Sequence, residues 1–330
     1  DIAEEGWIAD LRTYGAWQIQ YPHPNVSLAR MLRQVAEEKK LRGKRIGYEG
    51  NFEYIAPSQL AAEPTVPMAT TRQMIHEAFG DAQYVDATTT IDAIRAVKTA
   101  RDIEKLRLVN EIAGIGLQAY KEHAEPGRRA CEVAAAVEAA IYGQGVGYKG
   151  ARFARGYAQV TGGPMTAIGW EYPRSKDRRL EVGDLVFIEL ATVVDGYWSD
   201  LTRTRVCGGK PSAKQQEVWE AQQAGHNAGI AAMRPGVRTV DVDAAARRAI
   251  AERGYNEYFF HHTGHGIGWK YHEPIPWLHP DSKDTLEVGH VFAFEPGIYI
   301  EGFGGIRVED NIVVTPDGVE VLSTFERGLV

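Results

Sequence analysis

Leu180-Glu-Val-Gly-Asp-Leu-Val-Phe-Ile-Glu189 is echoed further along the chain by Leu286-Glu-Val-Gly-His-Val-Phe-Ala-Phe-Glu295, and the echo superposes Glu189 on Glu295. Each copy leads to a second carboxylate. Asp200 follows the first, in Gly-Tyr-Trp-Ser-Asp-Leu-Thr-Arg-Thr, and Glu309 follows the other, in Gly-Gly-Ile-Arg-Val-Glu-Asp-Asn. Between the copies lies His261-His-Thr-Gly-His265-Gly-Ile-Gly, followed by Tyr271-His272-Glu-Pro. Carboxylates placed by an internal repeat around a glycine-flanked imidazole read as a metal site on a pseudo-twofold axis.

Strand parity explains how these groups meet. Val186 to Arg205 alternates as a hairpin around Asp195-Gly196, the strongest short hairpin signal. With those residues as the loop, Val194 pairs with Tyr197 and Ala191 lies opposite Asp200. Side chains alternate faces, so Glu189, Ala191 and Asp200 share one side of the hairpin. The second copy repeats this over a longer loop, with Glu295-Pro-Gly-Ile-Tyr and Gly304 to Glu309 as neighbouring strands. Like charges so close repel unless a cation or a proton intervenes. Oxygen ligands joined by one imidazole suit Mn, Fe, Co or Zn rather than marking an all-thiolate structural site. Taken singly, each carboxylate reads more readily as a solvated strand residue, and His261, His262 and His272 can be satisfied core histidines. Arg307 shares a strand face with Glu309 and can neutralise a carboxylate, hold a substrate carboxylate or form a structural ion pair.

Composition sets the outer bounds. A chain of 330 residues with 44% hydrophobic content has material for one large core or two ordinary ones. A net charge of -7 and the lack of a concentrated Lys/Arg run disfavour nucleic acid and anionic membranes as partners. No apolar stretch approaches a membrane span, and no charged-then-apolar leader opens the chain. The two cysteines, Cys131 and Cys207, share no metal or redox spacing and fit a reducing cytoplasm. The sequence starts Asp1-Ile-Ala-Glu-Glu without Met, consistent with processing or with an upstream segment.

Periodicity divides the chain in two. Helix over Ser27–Leu41, strand over Lys44–Tyr48, helix over Thr71–Phe79 and strand over Gln83–Asp86 describe a small α/β domain, residues 1–88. Residues 89–330 then carry one plan twice. Helices over Ala100–His123 and Ala130–Tyr142 are separated by Pro126-Gly127. Helices over Ala213–Met233 and Val240–Arg253 are separated by Pro235-Gly236. Strands carrying the candidate site follow each pair.

With these residues in view, the chain from about Ile91 onwards resembles the pita-bread metallopeptidases, which include Xaa-Pro dipeptidases, Xaa-Pro aminopeptidases and methionine aminopeptidases. The likeness is carried by Arg95-Ala-Val-Lys98 with Glu104, Gly196 to Thr204, Thr263-Gly-His265-Gly-Ile-Gly, His272-Glu-Pro, Glu295-Pro-Gly-Ile-Tyr and Ile306-Arg-Val-Glu309-Asp. It implies an α/β (α+β) protein: a duplicated pita-bread catalytic domain with pseudo-twofold symmetry behind a smaller amino-terminal domain that looks truncated. The preceding α/β domain points to the proline-specific branch.

The resemblance also implies a site. Asp200, His265, Glu295 and Glu309 would hold one divalent metal, manganese first among cobalt, zinc and iron. Asp200 and Glu309 would bridge to a second ion at Glu189. Glu295 would be the general base, His272 and His261 would steady the oxyanion, and Arg307 would order the carboxylates or meet the peptide's carboxyl end. The activity implied is exopeptidase hydrolysis of Xaa-Pro bonds through a metal-bound hydroxide, in a cytoplasmic homodimer acting on small proline peptides. Two departures stand out. Glu189-Leu-Ala191 replaces the usual Asp followed two residues later by Gly, and Gly169-Trp170 stands where the family shows a His before an aromatic residue. They keep two alternatives open: a creatinase-like, metal-independent hydrolase of a small non-peptide C–N bond, and an inactive pita-bread binding module.

Overall fold

The structure, a computed structural model, describes residues 8–12, 24–49, 69–168 and 175–329. Gly169 and Trp170, where the sequence departs from the family pattern, lie outside the described residues. Contacts divide the chain into two units, residues 1–91 and 92–330.

In the smaller unit, helix α1 (Pro24–Glu38), strand β1 (Arg45–Tyr48), helix α2 (Ala69–Phe79) and strand β2 (Gln83–Asp86) follow one another. β1 and β2 pair in parallel, Arg45 opposite Gln83, with α2 in the connection that parallel pairing requires. Ala36, Ala78, Phe79 and Ala82 form its buried centre, packed by Leu32, Ile46, Ile75 and Tyr84. Helix α3 (Thr88–Ala96) occupies a stretch that the sequence reading left as a boundary. Asp86 starts it, accepting hydrogen bonds from the Thr88 backbone N–H at 2.9 Å and the Thr88 hydroxyl at 2.6 Å.

The larger unit states its plan twice, and the duplication extends to single hydrogen bonds. Helix α4 (Ala100–His123) opens on a Thr99/Asp102 capping box and helix α6 (Ala213–Ala232) on a Ser212/Gln215 box. Each is followed by a shorter helix, α5 (Ala130–Gly145) and α7 (Thr239–Ala251). Gly127 N–H donates to the Leu180 carbonyl at 2.8 Å, and Gly236 N–H donates to the Leu286 carbonyl at the same distance. Arg129 bridges Arg179 as Arg238 bridges Thr285. The turn between helices is therefore stitched to the head of each Leu-Glu-Val-Gly copy in the same way.

Strands β3 (Ala154–Gly162), β4 (Leu185–Val194) and β5 (Tyr197–Val206) form an antiparallel sheet in the order β3-β4-β5. β4 is buried at every position. Ile188 and Leu190 join Leu117 and Ile141 in the main core, which leaves the opposite face of β4, carrying Glu189 and Ala191, to the site. The second sheet runs β12-β11-β8-β6-β7, built from β6 (Gly264–Gly266), β7 (Glu273–Leu278), β8 (Val291–Phe294), β11 (Asp310–Thr315) and β12 (Gly318–Val321). Phe292 and Phe294 of β8 pack with Leu286, Val242 and Ala246. β9 (Gly297–Ile300) and β10 (Gly304–Arg307) form a separate two-stranded ribbon. Among the described residues, no helix is long and apolar enough to cross a membrane.

The Asp195-Gly196 turn fixes the register of the first copy. Val194 faces Tyr197 and Ala191 faces Asp200, as the turn predicts. Both central residues are left-handed, Asp195 at φ 49 and Gly196 at φ 91, as a two-residue hairpin turn of this kind demands. A Cβ on Gly196 would meet nothing within 4 Å, so backbone strain alone opposes a substitution there. Gly196→Ala is expected to lower stability by about 1–2 kcal/mol, read as a lower urea midpoint with an unchanged slope. An unchanged midpoint would contradict the turn assignment.

Candidate metal centre

Two hairpins and one short strand bring the candidate ligands together. Asp200 projects from β5, and Glu309 sits where the β10 strand passes into β11. The two copies grip each other reciprocally here. Asp200 N–H donates to the Asn311 side-chain oxygen at 3.2 Å, and Glu309 N–H donates to the Thr202 carbonyl at 3.1 Å. Asn311 Nδ2 returns a bond to the Asp200 carbonyl at 2.8 Å, and the Thr202 hydroxyl returns one to Glu309 Oε2 at 2.7 Å. Two-sided contacts of this kind are what a pseudo-twofold relation between the halves produces.

His265 enters from β6. Neighbouring Gly264 is obligatory, because a Cβ there would lie 2.1 Å from the Ala293 carbonyl oxygen of β8. The ring's Nδ1 lies 2.9 Å from the Gly266 carbonyl, so Nδ1 carries the proton and the Nε2 lone pair points into the site. Nε2 stands 3.5 Å from Asp200 Oδ2 and 3.8 Å from Glu295 Oε1. Ligand atoms of Asp200, His265 and His272 lie within 4.8 Å of one another, and so do those of His265, Glu295 and Glu309. Asp200 Oδ1 and Glu309 Oε1 are buried without a hydrogen-bond partner. Orphaned carboxylate oxygens beside an imidazole lone pair are the donor set a divalent cation fills.

Glu189 meets a cation of the chain itself. Its carboxylate is gripped by the Arg307 guanidinium and accepts a hydrogen bond from the Tyr271 hydroxyl at 3.3 Å. It belongs to neither of the two ligand groups. Arg307 also donates to the Thr202 hydroxyl at 3.0 Å and to the Tyr299 hydroxyl at 3.1 Å, and lies 3.7 Å from Glu295 and 4.0 Å from Glu309. It is the central cation among these carboxylates rather than a free arm.

The remaining imidazoles divide by their partners. His261 Nδ1 faces the His262 carbonyl at 2.6 Å, which leaves Nε2 to accept from the Tyr299 hydroxyl at 3.0 Å. Burial pulls its pKa down to about 4, so it is neutral at physiological pH. His262 accepts at Nδ1 from the Trp277 indole N–H at 3.3 Å and donates from Nε2 to Glu295 Oε1 at 3.0 Å. The His272 ring lies 4.2 Å from that of His265, tilted by 38°. Sequence reasoning gave no role to Tyr299, Thr202 or Tyr271. Tyr299 and Tyr271 each lie inside a quoted motif, so an aromatic hydroxyl beside charged residues was the available signal.

Electrostatics separates the carboxylates. Burial, then Glu189 and Glu295, raises Asp200 well above its ordinary range, and burial, then Asp200 and Glu295, does the same to Glu309. Burial also pushes Glu295 upward, yet His262 and Arg307 outweigh it and hold its carboxyl well below the usual range.

A duplicated helix–helix–sheet fold closing on such a pocket is the pita-bread class. The sequence profile of Metallopeptidase family M24 matches residues 104–316, and the chain belongs to that family. It is 35% identical over 240 residues to the Xaa-Pro dipeptidase of Pyrococcus furiosus, covering 73% of this chain and 66% of that protein. Among solved structures, the X-Pro aminopeptidase of Thermotoga maritima is similar with a TM-score of 0.77 at 28% identity, over 91% of this chain and 78% of that one. The prolidase of Pyrococcus horikoshii gives 0.75 at 30% identity, over 92% and 79%.

In the metal-free protein, Asp200 and Glu309 hold protons at pH values where ordinary carboxyls have lost them. Manganese uptake is therefore expected to expel protons and to weaken as pH falls. Calorimetric titration in buffers of different ionisation enthalpy checks this, and a binding heat independent of buffer would contradict it.

Proposed function

We propose that this chain is a metal-dependent exopeptidase that hydrolyses Xaa-Pro bonds in small peptides. The observation that carries the reading is the pair of ligand groups that share His265, one with Asp200 and His272 and the other with Glu295 and Glu309, in which buried oxygens of Asp200 and Glu309 lack a hydrogen-bond partner, set in the framework of a metallopeptidase family. The P. furiosus relative supports the choice of proline substrates. These four residues would hold one divalent cation, and the oxygen-rich set favours manganese. When bound, the cation supplies Lewis-acid polarisation of the scissile carbonyl and acidifies water.

The chain's own groups do the rest. Glu295 is the general base: its carboxylate is ionised at neutral pH and can take a proton, although the His262 and Arg307 contacts that lower its pKa weaken it as a base. The nitrogen of an Xaa-Pro bond carries no hydrogen, so proline departs only when that nitrogen is protonated, and Glu295 returns the proton. His272, grouped with Asp200 and His265, is the side chain placed to steady negative charge on the carbonyl oxygen. Both His261 nitrogens are engaged, so it acts by orienting Tyr299 and, through it, Arg307. Arg307 orders Glu189, Glu295 and Glu309. The homodimer and cytoplasmic expectations extend the same reading, supported by the resemblance and by free cysteines at Cys131 and Cys207.

With manganese or cobalt supplied, the protein is expected to cleave an Xaa-Pro dipeptide or a short peptide with proline second, and chelator is expected to stop it. Equal turnover with metal and with chelator would sink the proposal. Glu295→Gln should lower kcat by about 100- to 10,000-fold with little loss of fold. A fully active Gln variant would remove Glu295 from catalysis. A second ion, shared by Asp200 and Glu309, would need Glu189, which Arg307 already holds. Titration of metal-free protein should therefore show one tight and one weaker affinity, with Glu189→Asp strengthening the weaker selectively. Two equally tight sites would refute that division.

A further inference from the structure

Lys98 is a lysine whose side chain has no solvent contact. Its Nζ stands 2.5 Å from Glu273 Oε2, with side-chain exposures of 0% and 3%. Burying an ion pair costs desolvation that its attraction barely offsets, and an apolar pair of similar volume would stabilise the fold as well or better. Fold stability therefore does not account for it, and its surroundings suggest what does.

The other oxygen of Glu273 accepts from the backbone N–H groups of Trp269 at 2.8 Å and Lys270 at 3.4 Å, so one carboxylate closes the turn 269–273. Within that turn stand Tyr271, bonded to Glu189, and His272, grouped with Asp200 and His265. The Gly268 carbonyl, at the head of the turn, accepts from Trp198 N–H at 2.8 Å, two residues from Asp200. Gly268 leaves room for the pair: a Cβ there would lie 2.7 Å from Lys98 Cε and 3.1 Å from Glu273 Oε1.

Lys98 itself is held from the far side. Its backbone N–H donates to the Gly289 carbonyl at 2.9 Å, and Val97 bridges His290, in the second Leu-Glu-Val-Gly copy. That copy runs directly into β8 and Glu295. The Lys98 ammonium thus joins the strand lead that delivers Glu295 to the turn that delivers His272. A second ion pair, Asp92 to Lys270 at 3.7 Å, ties the same turn to helix α3.

We infer that the buried Lys98–Glu273 pair is a positioning clasp, which fixes the 269–273 turn and thereby sets Tyr271 and His272 against Glu189, Asp200 and His265. Its effect on turnover rests on the peptidase reading, whereas its effect on the turn does not.

Three variants test it by amide exchange and kinetics. Lys98→Met keeps the aliphatic stem and leaves Glu273 buried without a counter-ion. Adding Glu273→Gln removes that charge but keeps an acceptor for the two amides, and adding Glu273→Ala removes both. Exchange at the Trp269 and Lys270 amides is expected to rise about tenfold in Lys98→Met and in the Ala double variant, to rise less in the Gln double variant, which keeps the amide acceptor but lacks the tie to Lys98, and to stay unchanged in β4 and β5. For Xaa-Pro cleavage with manganese, kcat per folded molecule is expected to fall about 10- to 100-fold in the same two variants, with KM moving much less, and to recover only in part in the Gln variant. Should Lys98→Met fail to fold, the two double variants decide between them. Uniform acceleration along the chain, or a Gln double variant that matches the parent in both exchange and kcat, would overturn the clasp. A parent protein that shows the expected exchange pattern but cleaves no proline peptide would leave the clasp standing and defeat the peptidase reading.

Discussion

Four carboxylates, those of Glu189, Asp200, Glu295 and Glu309, share a nearly dry pocket with one guanidinium, that of Arg307. Two like charges about 4 Å apart repel by about 4 kcal/mol at an effective dielectric near 20, so four ionised groups around one cation cannot coexist there unaided. Burial and the neighbouring carboxylates raise Asp200 and Glu309, which favours their protonated forms in the metal-free molecule, and the His262 N–H steadies Glu295. A divalent cation would answer the same excess of charge by displacing those protons. Much of the surrounding structure serves to make that crowding permanent: neither hairpin can relax its register without turning its carboxylate into the core.

The duplication explains how so unfavourable a group can be built. One helix–turn–helix–strand plan is stitched to one Leu-Glu-Val-Gly segment, and the same stitches recur in the other copy. Facing two copies brings their carboxylates together without a special loop for each. The copies then diverge where chemistry requires it. The first ends in a tight hairpin with Asp200, while the second interposes the β9–β10 ribbon and supplies Arg307 and Tyr299. Glu189 and Glu295 are equivalent in sequence but unlike in charge environment, one clamped by Arg307 and the other facing His265.

Most of this was legible in sequence because it rests on local rules. The Asp195-Gly196 turn fixed a register from which Ala191 and Asp200 could be paired residue by residue, and helical periodicity with Pro-Gly breaks gave α4 its limits. Helix α3 was missed because nine residues with three successive threonines carry little periodic signal, and its start depends on one Asp86 cap. Long-range partners were out of reach for a different reason. Nothing in the spacing says that Lys98 meets Glu273 or that Arg307 selects Glu189 over Glu309. Those choices follow from packing between elements far apart in the chain. The family comparisons place the chain among metallopeptidases, but the pairing of Glu189 with Arg307 is read only from the structure.

The central claim is that the carboxylate pocket exists to hold a divalent cation. Anomalous diffraction from manganese-loaded crystals tests it most directly. The account predicts a strong peak enclosed by Asp200, His265, Glu295 and Glu309, with Arg307 still on Glu189 wherever the second position is empty. Ordered side chains with no peak in that pocket, or manganese bound only elsewhere, would contradict it.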